Sequence, residues 1–70
     1  MSLVNEFNDL AIGKKIKQVL MMKGKSQVEL GELFGITRQA IGYRLDNDSF
    51  DIPDVKKIAE WLNVDPKDFI

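Results

Sequence analysis

The chain has 70 residues, 44% hydrophobic and 30% charged, and its ten Lys plus Arg against eleven Asp plus Glu leave a net charge of −1 and a pI of about 5.2. That length holds one small domain, residues 1–70, and no second domain with its own core. Cysteine and histidine are both absent, which excludes disulfides, zinc ribbons, thiol nucleophiles and imidazole bases, so the fold must rest on helix packing and the function on binding rather than catalysis.

Between Asn8 and Lys23 the apolar residues Ile12, Ile16, Val19 and Leu20 fall at i, i+4, i+7 and i+8, one stripe of a helix, with Lys14, Lys15, Lys17 and Gln18 expected on the solvated side. Asn8 or Asp9 can cap its start, and Gly24 offers a left-handed stop. Ser26-Gln27-Val28-Glu29 is a capping box that opens a second helix over 27–34, ended by Gly35. Thr37 is a good N-cap for a third helix, 37–45, with Ile41 and Leu45 on one face. Asp46-Asn47-Asp48-Ser49 favours a loop over 46–52. Pro53 suits a first helical turn, and Val55, Ile58, Ala59 and Leu62 repeat at helical spacing over 53–62, closed by Asn63. Asp65-Pro66 starts a short terminal turn, 66–70. No segment alternates with period two, so the predicted class is all-α, a bundle of four to five helices.

Charge is polarised along this string of helices. Residues 1–45 carry seven basic and four acidic side chains, +3, whereas residues 46–70 carry three basic and seven acidic ones, −4. No apolar run approaches the ~20 residues that span a bilayer, and the amino-terminal segment lacks the pattern of a secretion signal, so a cytoplasmic location and no membrane partner are expected. Two short helices joined by a tight glycine turn, from Gln27 to about Leu45, have the spacing of a helix-turn-helix, whose second helix enters the DNA major groove. Gly31 is expected where the second helix passes close to the third, and Leu30, Phe34, Ile36 and Ile41 form the wedge that sets their angle.

From about Ile12 to Ile70 the sequence resembles the XRE-like and Cro-like family of phage and bacterial repressors. The matching stretches are Ile12-Gly13-Lys14-Lys15-Ile16, Ser26-Gln27-Val28-Glu29-Leu30, Phe34-Gly35-Ile36-Thr37, and Ile58-Ala59 followed by Leu62-Asn63-Val64-Asp65-Pro66. The resemblance implies the phage-repressor type of DNA-binding domain, with Thr37, Arg38, Gln39 and Tyr43 facing base edges. The chemistry agrees: Arg38 can fork onto guanine, Gln39 can pair with adenine, and the Thr37 methyl can meet that of thymine, each good bidentate pair discriminating by roughly 1–3 kcal/mol. Gln27, with the first amides of its helix, and Lys23, Lys25 and Arg44 are the expected phosphate contacts.

The chain departs from the family at three places. Relatives often bury an arginine–glutamate pair where Leu20 and Leu45 stand here, and an apolar residue usually fills the position of Arg44. Their loop after the third helix is often basic, whereas this one carries Asp46, Asp48 and Asp51, which would repel phosphate. A regulator of this kind is expected to bind a double-stranded operator as a homodimer, because one short helix reads only a few base pairs. Phe50, Ile52, Trp61, Phe69 and Ile70 are the expected partner surface, unless they complete the core. The alternative is a protein-interaction module of the same fold, acting on another repressor through the acidic half. Neither function calls for a cofactor, metal or small-molecule ligand.

Overall fold

The computed structural model describes residues 11–69. The expected caps Asn8 and Asp9, the first turn of the predicted opening helix and Ile70 lie outside the described residues. Within them run α1 (Ile12–Met22), α2 (Gln27–Phe34), α3 (Arg38–Asp46) and α4 (Ile52–Leu62), followed by a short 3₁₀ turn, Pro66–Phe69. No strand occurs among the described residues.

Most boundaries follow from local chemistry. Gly24 and Gly35 have φ of +68°, and Asn63 closes α4 at +58°, as their left-handed preference predicts. Helix α4 begins one residue before the predicted start, because Asp51 and Asp54 form a second capping box around its first turn, with Pro53 inside it. Asp65 Oδ1 accepts the amide of Lys67 at 2.9 Å and so caps the terminal turn.

The core is formed by Ile16, Val19 and Leu20 of α1, Leu30 of α2, Ile41 and Leu45 of α3, Val55, Ile58, Ala59 and Leu62 of α4, and Phe69. Leu20 and Leu45, where the resemblance leads one to expect an ion pair, are both buried there. Burial of apolar side chains in place of paired charge avoids the cost of stripping water from two ions. Lys15 corrects the sequence reading: it is 4% exposed rather than solvated, since it follows Ile12 by three residues and precedes Val19 by four, at the edge of the apolar stripe. A lysine stem can be covered in this way along its methylenes.

Two glycines set how closely the helices approach. A Cβ on Gly31 would lie 2.8 Å from the Ile36 carbonyl oxygen and 3.3 Å from that of Thr37, so α2 is pressed against the turn backbone rather than against α3 itself, as the sequence had suggested. The tighter contact is at Gly13, where a Cβ would collide with the Leu45 carbonyl oxygen at the end of α3. The same spot carries the missing cap of α1. Ala11 stands at the N-cap with no side-chain bond, and the amide of Gly13 instead donates to Asp48 Oδ1 at 2.9 Å, from the loop 35 residues away. Asp48 reaches it from a left-handed backbone, φ +53°, which aspartate tolerates better than most residues.

Gly13→Ala should therefore lose about 1–3 kcal/mol in urea denaturation, the usual cost of overpacking a close contact. Asp48→Ala should lose about 1 kcal/mol, as for loss of a helix cap. An unchanged unfolding midpoint in either variant would contradict this account of how α1 is seated on α3.

Candidate nucleic-acid interface

Helix α2 is nucleated by its capping box: Ser26 Oγ accepts the Glu29 amide at 3.1 Å, and Glu29 Oε1 accepts the Ser26 amide at 3.2 Å. Those bonds leave the amides of Gln27 and Val28 pointing out of the helix start, where the dipole favours an anion. Gly35 then reverses the chain, and the Ile36 amide donates to the Gly31 carbonyl at 2.9 Å, closing the turn. Thr37 Oγ1 accepts the Ala40 amide at 3.1 Å and starts α3. The hydroxyl predicted to cap the helix does so, and Thr37 is itself exposed.

Helix α3 buries only Ile41 and Leu45. Arg38, Gln39 and Tyr43 are exposed, Tyr43 to 68%, and together with Gly42 they make one stripe on the outer side of the helix. Gln27 adjoins that stripe: its Oε1 lies 3.6 Å from where a Gly42 Cβ would be, so the amide side chain lies across α3. On its other side Gln27 lines a shallow groove with Lys17, Leu20, Met21 and Lys25. The structure thus brings Gln27, Lys25 and Lys17 together beside the stripe. Lys23 lines a different groove, with Val64 and Asp68. Lys25 is shared between Glu29 Oε2, 3.7 Å away, and the Trp61 ring, 5.5 Å from its centroid.

Arg44 stands apart from the other expected phosphate contacts, because its guanidinium is engaged within the fold. Nε donates to the Ser49 carbonyl at 3.0 Å and Nη2 to Asp54 Oδ2 at 2.6 Å. The group also lies 4.9 Å and 4.8 Å from the ring centroids of Phe34 and Phe50. One side chain thereby joins α2, α3, the loop and α4. Burial pushes the Asp54 carboxyl up, but the Asp51 amide, the Arg44 charge and the hydrogen bonds to both residues outweigh it, so the group titrates below its ordinary value of 3.8.

The acidic loop has a structural use that its composition alone does not disclose. Asp48 caps α1, Asp51 caps α4, and Asp46 Oδ1 is 3.0 Å from Lys17 Nζ. Among the expected partner residues, Phe69 is corrected: it is 1% exposed and completes the core beneath the terminal turn. Phe50 and Trp61 are half-buried against the core, and Ile52 is 55% exposed. Lys17 and Gly42 were not singled out by sequence reasoning, and a Cβ on Gly42 would meet Gln27 only at ordinary van der Waals distance.

An all-α bundle in which α2 and α3, joined by a glycine turn, leave one polar helix face open is a helix-turn-helix domain. A family model described as helix-turn-helix matches residues 16–69, and the chain belongs to that family, the XRE-type helix-turn-helix proteins, a DNA-binding family and not an enzyme family. No curated protein and no solved structure matched the chain. No helix among the described residues is long and apolar enough to cross a membrane.

Because the folded Asp54 carboxyl is lowered, it contributes stability that is fully present above its ordinary range and is lost as pH falls through the lowered value. In urea denaturation, the stability gap between wild type and Asp54→Asn should accordingly be widest near neutral pH and close on acidification below about pH 4. A gap that stays constant down to that range would show that Asp54 does not carry the acid sensitivity.

Proposed function

We propose that the chain is a sequence-specific transcriptional regulator of the repressor type, of phage or bacterial origin and cytoplasmic, that inserts α3 into the major groove of an operator. The observation that carries this reading is the exposed stripe of Arg38, Gln39 and Tyr43 on a helix whose opposite side is locked into the core, with Gln27 laid alongside it. Arg38 and Gln39 supply donors and acceptors for base edges, Thr37 a methyl group, and Tyr43 a ring and hydroxyl further along the groove. Gln27 and the first amides of α2 hold a phosphate, with Lys25 beside them offsetting the charge of Glu29. Lys23 is a further phosphate contact from the end of α1. Arg44 is left out of that set, since its Nε and Nη2 donate to Ser49 and Asp54 and the group lies against the Phe34 and Phe50 rings.

The protein acts as a homodimer on paired half-sites about one helical turn apart. Ile52, exposed at the start of α4 beside the half-buried Phe50, is the apolar centre of the proposed contact.

Selection from a random duplex pool tests the reading. Wild type should enrich one site with two-fold symmetry, and Arg38→Ala with Gln39→Ala should lose that enrichment while melting at the same temperature as wild type. Ile52→Asp should leave half-site binding intact and weaken binding to the full site. No enrichment by wild type even at low salt, where phosphate attraction is strongest, would rule out the proposal.

A further inference from the structure

Asp46 is the last residue of α3, and two ordinary preferences oppose a carboxylate there. The carboxyl end of a helix carries partial negative charge and disfavours an anion. The position is also on the stripe that would meet DNA, since seven residues after Gln39 the helix has returned to the same side, about 10 Å further along its axis. A phosphate within such a distance feels the carboxylate, because screening at 0.1 M salt acts over about 10 Å.

The side chain is 69% exposed and is paired with Lys17 Nζ at 3.0 Å. Lys17 belongs to α1 and lines the groove that also holds Gln27 and Lys25. Its own side chain is 40% exposed. Exposed ion pairs of this kind contribute little to stability, so holding α1 to α3 does not account for the pair, and Gly13 and Asp48 already join those elements. What the pair does change is the charge offered to a polyanion: together Lys17 and Asp46 present none.

We propose that Asp46 is an affinity-limiting residue, which withholds Lys17 from the DNA backbone and so reduces by one the phosphates that the domain neutralises. The inference rests on the DNA-binding reading and adds to it a residue that sets how tightly any duplex, specific or random, is held. It also gives the acidic last residue of α3 a function that the caps at Asp48 and Asp51 do not share.

The test is fluorescence anisotropy over a series of salt concentrations, with a short random-sequence duplex and with the selected site, using wild type, Asp46→Asn, Lys17→Gln and the double variant. Thermal melting of each confirms equal folding. Asp46→Asn should bind the random duplex several-fold more tightly and steepen the slope of log affinity against log salt by about 0.9, the value of one released counterion. Lys17→Gln, which leaves the carboxylate unpaired, should bind no more tightly than wild type, and in the Asp46→Asn background it should abolish the gain. An unchanged slope in Asp46→Asn, or a gain that survives Lys17→Gln in that background, would overturn the inference while leaving DNA binding intact. If no variant binds either duplex at low salt, the DNA-binding reading itself fails and this inference with it.

Discussion

Everything that the exposed face of α3 can do depends on backbone meeting backbone at its two ends. This helix has nine residues, two of them buried, well short of the roughly 12–15 at which an isolated helix becomes even marginally stable. It is therefore held from outside. At its start, Gly31 lets α2 press onto the carbonyls of Ile36 and Thr37, and at its end Gly13 lets α1 close onto the carbonyl of Leu45. Side chains at either glycine would hold the neighbouring helix off, and packed interiors transmit such displacements rather than absorb them. A helix clamped at both ends can leave its outer face entirely to polar side chains.

The electrostatics follow from the same economy of size. Net charge near zero argues little either way for a domain this small, because what a polyanion meets is the local arrangement. Here several acidic side chains of the negative half are engaged by other groups of the fold, although nearly all stay exposed to water. Asp48 and Asp51 lie against helix amino termini, where the dipole favours them, and Asp54 is neutralised by Arg44. Acidic residues thus serve as the staples that a cysteine-free chain lacks, while Arg38 is left exposed on the reading stripe. Asp46 differs from the other three in standing at a helix carboxyl end.

Features fixed by near neighbours were legible in the sequence. The capping box at Ser26 and Glu29, the left-handed closures at Gly24, Gly35 and Asn63, the Thr37 cap and the apolar periodicity of α1 and α4 each involve residues a few positions apart, and each is present. The exposure of Arg38, Gln39 and Tyr43 was legible for the same reason, once Ile41 and Leu45 marked the inner side of α3. What escaped was set by distant contacts. The bond from Gly13 to Asp48 joins residues 35 apart, and Arg44 finds its acceptor ten residues on only because α4 folds back beside α3. Phe69 looked like a surface aromatic near a chain end, yet the 3₁₀ turn directs it into the core. Lys15 shows the limit of helical periodicity, which gives the direction of a side chain but not how far the neighbouring surface extends over it.

Arg44, Leu20 and Leu45 together show where this chain places its ionic link. Where the family resemblance leads one to expect a buried arginine–glutamate pair between the first and third helices, the core holds two leucines, and the adjacent position carries an arginine paired with Asp54 between α3 and α4. Both partners keep about a quarter of their side-chain surface in water, so neither bears the full desolvation cost of a buried ion. The guanidinium recovers attraction from the Phe34 and Phe50 rings, which water would not supply. Because arginine spreads its charge and its donors over one plane, it can meet a carbonyl, a carboxylate and two aromatic rings at once. The result is a link that fastens the recognition helix to the loop and α4 at the rim of the domain, and that leaves the α1–α3 contact free to close on glycine.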